Sequence, residues 1–277
     1  SYWGAQMNAR SAAEGIMGSR NPMLKPLQVM MINVALPVWP VKRENGKPVV
    51  WITGDSTVKN QDSSRDGMWG WGALAATVFD TTKCTPFNAA MAGRSTRSFI
   101  REGRWEKVYN ALKPGDFVLI QFGHNDMSPI AQPKERGVIQ GSADTCHVYK
   151  MEKDGRYELV YSFGWYLRKM IDDVKEKGAT PIIVSLTVRN QWKDGHVERR
   201  NDTIGKWYRE VVDQTGVEFV DAHNLIADYL EKHYKDDKSA AEYFKKDHTH
   251  NSLKGAKNNA KMVAKGLKGI HSELAKY

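Results

Sequence analysis

The serine in the stretch ITGDSTVKN, residues 52–60, lies where an apolar run ends. Residues 49–52 are predicted to form a strand that stops at Gly54, and Ser56 follows at its carboxyl end. A hydroxyl exposed at such a turn is a candidate nucleophile, provided that a base, usually a histidine, can take its proton. The same position is also typical of a helix N-cap, so Ser56 by itself leaves both interpretations open.

A base is available in the segment KDHTHN, just before the last predicted helix. Asp247 and His250 are three residues apart, and in a turn this spacing lets the carboxylate reach the imidazole, fix its tautomer and stabilise the imidazolium. Two alternatives stay open: Asp247, His248 and His250 could bind a metal ion, or Asp247 could merely cap the last helix. Most other histidines have polar neighbours and are predicted to lie at the surface: His147, His196, His223, His233 and His271.

A tetrahedral intermediate also needs hydrogen-bond donors for its oxyanion. Gly93, in the stretch AGRS, permits a close backbone approach, and Asn125, in GHND, carries an amide that can donate. Each of these is commonplace alone. Together with Ser56 and the pair Asp247 and His250, they make four elements on loops at one edge of a predicted sheet, which chance rarely produces.

Strands and helices alternate along the chain and would bring these loops together. The predicted strands are 49–53, 83–89, 116–122, 181–186 and 217–220, and the predicted helices are 68–78, 95–112, 163–177, 202–214, 222–234 and 253–274. This alternation predicts right-handed βαβ units and an α/β fold with a parallel sheet. In such sheets ligands bind beyond the carboxyl ends of the strands. The polar segment 127–160 interrupts the pattern, and loops of this length are often functional.

The order of these motifs resembles the SGNH, or GDSL-type, hydrolase family. The signature elements are Gly54-Asp55-Ser56, Gly93, Gly123-His124-Asn125-Asp126 and Asp247-x-x-His250. The resemblance implies a three-layer α/β/α flavodoxin-like fold with a parallel central sheet, and it implies no metal or organic cofactor. It also implies site roles: Ser56 as nucleophile, His250 as base, Asp247 as its orienting carboxylate, and an oxyanion hole from the N–H groups of Ser56 and Gly93 and the side chain of Asn125.

Longer matches resemble the rhamnogalacturonan acetylesterase branch of that family. They are GDSTV at 54–58, GRSTRSF at 93–99, FGWYLR at 163–168 and DHTH at 247–250. Members of the branch remove acetyl groups from pectin, and some relatives act on acetylated xylan or small acetyl esters. We therefore expect a serine esterase that deacetylates plant cell-wall polysaccharide, rhamnogalacturonan or pectin in particular. Val188 stands where the branch has proline, which is a minor departure.

Alternatives from other classes remain beside this expectation. Lipases and thioesterases share the fold and the motifs, and an enlarged apolar acyl pocket would favour them. A carbohydrate-binding relative with a decayed site is a third class, although all the catalytic residues are present. Arg94, Arg189 and Trp192 are predicted to contact the substrate, whereas Trp69 and Trp71, on a predicted helix, are more typical of packing residues.

Composition limits the class of partner. The 277-residue chain has a formal net charge of +9, with lysines and arginines scattered along it. Scattered charge is usually a solvated surface, and its functional interpretation is attraction to a polyanion. No nucleic-acid motif is visible, so we expect an acidic, acetylated polysaccharide and no nucleic acid. No membrane span is predicted, because the longest apolar stretch, 29–39, is shorter than the roughly 18 to 20 residues required.

The sequence gives the least information about the two cysteines and about the first 45 residues. Cys84 and Cys146 have no metal-type spacing and are expected to be free, buried thiols. Residues 1–45 match nothing in the family, and we interpret them as an extension: a leader, a decayed signal, or a packed arm that could mediate self-association. The catalytic domain is then predicted over 46–277. The oligomeric state stays open, and the expected location is secreted or periplasmic.

Overall fold

The computed structural model describes residues 35–59 and 67–277. Its strands are β1 (Val49–Gly54), β2 (Thr85–Asn88), β3 (Phe117–Gln121), β4 (Cys146–Lys150), β5 (Tyr157–Tyr161), β6 (Thr180–Val184), β7 (Trp192–Lys193), β8 (His196–Val197) and β9 (Glu218–Val220). Its α-helices are α1 (Ser56–Lys59), α2 (Thr96–Arg101), α3 (Arg104–Ala111), α4 (Phe163–Glu176), α5 (Ile204–Thr215), α6 (Ala222–His233) and α7 (Leu253–Gly269). Short 3₁₀ helices lie at Trp71–Thr77, Ser239–Tyr243 and Glu273–Lys276.

Five strands form a central sheet in the order β2-β1-β3-β6-β9, and every neighbouring pair in it is parallel. The chain moves outwards from β1 to β2 and then returns to the other side of β1 with β3. The strand order therefore reverses between β1 and β3, and in open parallel sheets a crevice forms at this point, outside the carboxyl ends of the strands. Both motif loops, after β1 and after β3, emerge there.

Successive side chains of a strand point to opposite faces of the sheet. Trp51 and Ile120 belong to a core packed against α2, α3, α4 and α5, whereas Ile52 and Leu119 belong to a second core packed against α6 and α7. Because β1 and β3 are buried on both faces, their sequences are nearly continuous apolar runs rather than alternating ones. Helices on both faces of a parallel sheet confirm the predicted three-layer α/β/α fold.

Two predicted helices differ from the structure. The helix predicted over 68–78 is a 3₁₀ helix at Trp71–Thr77, which begins after Gly70. The helix predicted over 95–112 is divided into α2 and α3 at Gly103, whose φ of 75° is left-handed. Glycine adopts this conformation readily and other residues do not, so Gly103 turns the chain between the two helices.

The segment predicted as a long loop or excursion, 127–160, contains the antiparallel hairpin β4–β5. Cys146 begins this hairpin and is exposed, which corrects the expectation that both thiols are buried; Cys84 is buried, and both cysteines are free.

The prediction that His223 lies at the surface is also wrong, because this residue is buried at the start of α6. Its ring is held by the Leu186 carbonyl at Nδ1, 3.1 Å away, and by the Arg200 N–H, which donates to Nε2 over 3.1 Å.

The described end of the predicted N-terminal extension, residues 35–45, packs on the domain. Arg43 forms an ion pair with the buried Asp116 at 2.6 Å, and the Trp39 ring contacts Phe87 with centroids 5.7 Å apart. Residues 1–34, where the leader and signal interpretations fall, lie outside the described residues. None of the helices within 35–59 and 67–277 is long and apolar enough to cross a membrane.

Candidate active site

The serine of the first motif stands at the crevice between β1 and β3. Ser56 begins α1 directly after β1, and it is half-buried between the buried residues Asp55 and Thr57. Asp55 Oδ1 accepts hydrogen bonds from the Thr57 N–H, at 2.8 Å, and from the Thr57 hydroxyl, at 2.7 Å. This local pair of bonds fixes the tight strand-to-helix turn, so the Ser56 hydroxyl projects from a rigid support.

A hydrogen-bonded chain connects this serine to the last motif. The Ser56 Oγ lies 2.8 Å from the His250 Nε2, and the His250 Nδ1 lies 2.7 Å from the Asp247 Oδ2. A carboxylate beside Nδ1 favours the tautomer with its proton on that nitrogen, and this leaves Nε2 as the acceptor for the serine hydroxyl. The arrangement is that of a nucleophile, a base and an orienting carboxylate.

The Asp247 carboxylate is held in its charged form. Burial acts to raise its pKa, but hydrogen bonds from the His250 N–H, the His250 ring and the Thr249 N–H outweigh burial and lower the pKa of Asp247. The two backbone bonds, at 2.7 and 2.8 Å, both go to Oδ1. Oδ2 is thereby left for the imidazole. Residues 247–250 form a tight turn around the Asp247 carboxylate.

Neighbouring elements hold this loop in place. The Trp69 N–H donates to the Asn251 carbonyl at 2.8 Å, and the Lys245 N–H donates to the His250 carbonyl at 2.9 Å. The helix that follows, α7, is capped by Ser252, whose Oγ accepts the Gly255 N–H at 3.2 Å. The alternative that Asp247 caps the last helix is therefore wrong, since its carboxylate serves its own turn and the imidazole.

The described residues offer no complete set of ligands for a metal ion on the loop of Asp247 and His250. Within 35–59 and 67–277, no group of three or more histidine, cysteine, aspartate or glutamate side chains is arranged to hold a metal ion. The His248 side chain is exposed, and its backbone carbonyl accepts the Asn190 N–H at 2.7 Å. This bond joins the loop after β6 to the loop of the candidate base.

The loops after β1, β2 and β3 carry three candidate donors for an oxyanion. The backbone N–H groups of Ser56 and Gly93 donate to no partner among the described residues. Gly93 has a φ of +77°, a left-handed conformation that glycine adopts without strain. The Asn125 Nδ2 donates to the Arg94 carbonyl at 3.0 Å, which orients the amide and leaves its second N–H free. Three free donors beside a nucleophile suit a developing oxyanion.

Asp126, the residue after Asn125, holds the loop that follows β3 in place. Asp126 is fully buried, and its Oδ1 accepts the Thr96 N–H at 3.0 Å and the Thr96 hydroxyl. Its Oδ2 is buried without a hydrogen-bond partner. Burial therefore raises the pKa of Asp126 to about 7, against the opposing effect of the bonds from Thr96. Asp126 thus ties the loop after β3 to the start of α2, next to Gly93.

The predicted substrate contacts have different environments. Arg94 forms an ion pair with Glu102 at 2.9 Å. Trp192 packs against the second core, and its indole N–H donates to the Asn190 side chain at 2.8 Å. Arg189, in contrast, has a buried Nε without a hydrogen-bond partner. All three substrate roles stay predictions.

Sequence reasoning missed the buried position of His124 and the contact that Arg136 makes with Gly93. His124 is buried and contacts the Thr187 hydroxyl at 2.9 Å through Nε2, and burial lowers its pKa well below the usual range. Arg136, from the irregular segment after β3, contacts the Gly93 carbonyl. The length of that segment was the available signal, because nothing in the local sequence around Arg136 singles it out.

Comparison with known proteins adds the family. A profile of the GDSL-like Lipase/Acylhydrolase family matches residues 52–257, which include every motif of the site. Rhamnogalacturonan acetylesterase of Emericella nidulans is 31% identical over 209 residues, covering 75% of this chain and 79% of that protein. Rhamnogalacturonan acetylesterase RhgT of Bacillus subtilis is 28% identical over 241 residues, covering 81% of this chain and 91% of that protein.

A solved structure agrees with the fold. That of the Bacillus subtilis protein YxiM has a TM-score of 0.65 and 22% identity over 82% of this chain. The chain spans 58% of the length of that larger relative. With the fold, the order of the motifs and the family match in agreement, the chain belongs to the GDSL-like lipase/acylhydrolase family.

Proposed function

We propose that this chain is a serine esterase that removes acetyl groups from plant cell-wall polysaccharide, with rhamnogalacturonan as its substrate. The observation that carries the chemistry is the hydrogen-bonded chain from Ser56 through His250 to Asp247, at 2.8 and 2.7 Å, beside three unused donors. The substrate is supported by two relatives named rhamnogalacturonan acetylesterase, each similar over at least three quarters of this chain.

The reaction begins at the serine. The Ser56 Oγ attacks the acetyl carbonyl carbon while the His250 Nε2 accepts the hydroxyl proton. The resulting imidazolium is stabilised by the Asp247 carboxylate, which stays ionised because its lowered pKa opposes proton transfer to it. The carbonyl oxygen becomes an oxyanion and accepts hydrogen bonds from the N–H groups of Ser56 and Gly93 and from the Asn125 amide.

The intermediate then collapses with loss of the sugar. His250 returns its proton to the leaving sugar oxygen, and an acetyl group remains on Ser56. A water molecule, deprotonated by His250, attacks this acetyl ester. The serine oxygen then leaves and takes that proton back from His250, and acetate is released. These steps use only side chains and backbone groups of the chain, so we expect activity to survive a chelator.

The setting of the site bears on the substrate and on where the enzyme acts. The Asp247 and His250 side chains are 44% and 26% exposed, so a polymer can approach the base directly. The formal charge of +9 would attract an acidic polysaccharide. Because that substrate lies outside the cell that degrades it, we propose a secreted or periplasmic location.

The test is acetate release by wild type and Ser56→Ala on acetylated rhamnogalacturonan, acetylated xylan and a longer-chain acyl ester, each with and without chelator. We expect the wild type to act best on rhamnogalacturonan and Ser56→Ala to lose on the order of 10⁴-fold or more. An unchanged unfolding midpoint shows that the variant is folded. Retained turnover by Ser56→Ala would refute the nucleophile.

The comparison of substrates in this experiment distinguishes the other classes of esterase. Serine-dependent release from xylan alone would make the chain an acetylxylan esterase. Serine-dependent hydrolysis of the longer acyl ester alone would make it a lipase or thioesterase of the same fold.

A further inference from the structure

Arg136 projects from the irregular segment between β3 and β4 onto the two loops that carry the free donors. Its Nη1 lies 3.4 Å from the Gly93 carbonyl, and its Nε donates to the Ser128 hydroxyl at 3.2 Å. Ser128 in turn donates its N–H to the Asn125 carbonyl at 3.2 Å. The guanidinium therefore contacts the Gly93 loop directly and is linked to the Asn125 loop through Ser128.

Within the part of the chain that the structure describes, the charge of this guanidinium is not neutralised by an ion pair. Of its five N–H groups, these two contacts use two, which leaves three without a partner among the described residues. No carboxylate within 35–59 and 67–277 forms an ion pair with Arg136. Asp55 raises the pKa of Arg136 electrostatically, but burial has the larger effect and lowers it.

An arginine nearby shows that the fold can neutralise such a charge. Arg97, on α2, is almost fully buried, and its guanidinium binds the Glu158 carboxylate and donates to the carbonyls of Ile130 and Gly137. Desolvating a cation is costly unless it is paired. Arg136 is partly desolvated, has no ion-pair partner within 35–59 and 67–277, and contacts the loop of a candidate oxyanion donor, Gly93.

Space beside the guanidinium is open to that ligand. A side-chain carbon placed on Gly93 would meet only the Arg136 Nη1 within 4 Å, at 3.8 Å. The oxyanion would bind the N–H of the same residue. Three lengths separate the guanidinium from the reacting carbonyl: the oxyanion hydrogen bond, the span of one residue and the contact of 3.4 Å. Together they amount to at most roughly 10 Å. A neighbouring unit of the same sugar chain falls within that distance.

We propose that Arg136 is a specificity-determining residue whose guanidinium binds a carboxylate of the sugar chain next to the ester that is cleaved. A carboxylate is the anion that a planar guanidinium binds through two parallel hydrogen bonds. Arg136 would then select a uronate-bearing chain over a neutral one such as xylan. The inference rests on the proposed function, since it needs a sugar ester in the site.

The competing role is purely positional, because the contacts to Gly93 and Ser128 also join the two loops. The two roles differ in what they do to the substrate. A positioning residue stabilises the oxyanion loops for every ester and acts mainly on kcat. A carboxylate-binding residue acts mainly on KM, and only for substrates with a free carboxylate.

The experiment uses one acetylated rhamnogalacturonan oligosaccharide in two forms, with its galacturonate carboxylates free and with the same carboxylates methyl-esterified. The wild type, Arg136→Gln, Arg136→Lys and Lys268→Gln are compared by kcat/KM. Lys268 is exposed in the last turn of α7 and controls for the loss of one positive charge. We expect Arg136→Gln to reduce the ratio of free acid to methyl ester about 10- to 100-fold.

The expected change lies mostly in KM for the free acid. Arg136→Lys keeps the charge without the planar fork and should lose part of the ratio, while Lys268→Gln should keep it. An equal fall in kcat on both forms, or no change in the ratio, would overturn the assignment. If the wild type releases no acetate from either form, the proposed function itself has failed, which the wild type alone reveals.

Discussion

Each of the two loops at the crevice pairs a half-exposed residue with a buried aspartate beside it. Ser56 follows Asp55, and Asn125 precedes Asp126. The half-exposed residues keep unused donors: the Ser56 N–H and one N–H of the Asn125 amide. The buried aspartates direct Oδ1 to a threonine, which donates both its N–H and its hydroxyl.

This difference separates the groups that would act on the ester from the groups that hold the loops. A donor that is to stabilise a transition state must be free in the resting site and fixed in position. A donor used inside the loop supplies that fixed position. We therefore expect substitutions of the outer residues, Ser56 and Asn125, to reduce turnover. Substitutions of the buried aspartates should instead reduce stability or change its pH dependence.

The largest effect should come from the base. Replacing His250 with Gln removes the acceptor 2.8 Å from the Ser56 hydroxyl, and kcat should fall on the order of 10⁴-fold or more, with little change in the unfolding midpoint. His248→Gln is the matched control, because this exposed side chain lies two residues away and outside the hydrogen-bonded chain. A larger loss in His248→Gln than in His250→Gln would move the base to His248.

The donor of the second loop should matter less. Asn125→Ala removes one of three oxyanion donors and should lower kcat about 10²- to 10³-fold while KM changes little. The measurement is steady-state kinetics on a small acetyl ester, with urea unfolding in parallel. If stability fell as much as activity did, Asn125 would belong with the loop-holding residues, and the contrast between outer and buried residues would fail at this loop.

Sequence patterns predicted the parts of the fold whose residues carry their own local signal. The run FVLI in β3 is apolar because both faces of that strand are covered, and a short continuous apolar run between turn residues is typical of such a strand. The loops of Ser56, Gly93 and Asn125 follow strands without long insertions, so their meeting at one sheet edge also followed from the alternation of strands and helices. The roles of Ser56, Asp247 and His250 remain for the kinetics to test.

The rest depends on contacts that no local pattern records. The hairpin β4–β5 has mostly exposed or half-buried side chains, so it lacks a clear apolar alternation. It is held on α2 by Arg97, whose partner Glu158 lies 61 residues away. Arg136 is one of 41 lysines and arginines, and only the folded chain shows its guanidinium beside Gly93, without an ion-pair partner in 35–59 and 67–277.

The smallest effect on turnover, and the sharpest test of the buried class, should come from Asp126→Asn. Asparagine imitates the neutral carboxylic acid in shape and keeps an oxygen that can accept from Thr96. We expect kcat to fall by no more than about tenfold, since the three oxyanion donors remain. A loss as large as that of Asn125→Ala would show that the negative charge of Asp126 takes part in the reaction.

The stability of the same variant should depend on pH in a defined direction. The folded-state pKa of Asp126 is raised from 3.8 to about 7, so the neutral form is favoured on folding. Its contribution to the free energy of unfolding is fully present below pH 3.8 and is lost as the pH rises through 7. Relative to Asp126→Asn, the wild type should lose about 1 kcal/mol per pH unit across that window.

Urea unfolding at pH 5, 6, 7 and 8 measures this difference, with Asp213→Asn on the exposed surface of α5 as the matched control. A wild type that gains stability over Asp126→Asn as the pH rises would mean that the buried carboxylate is charged when the protein folds. Asp126 would then need a cationic or hydrogen-bonding partner at Oδ2, and it could no longer be grouped with the residues that only hold the loops.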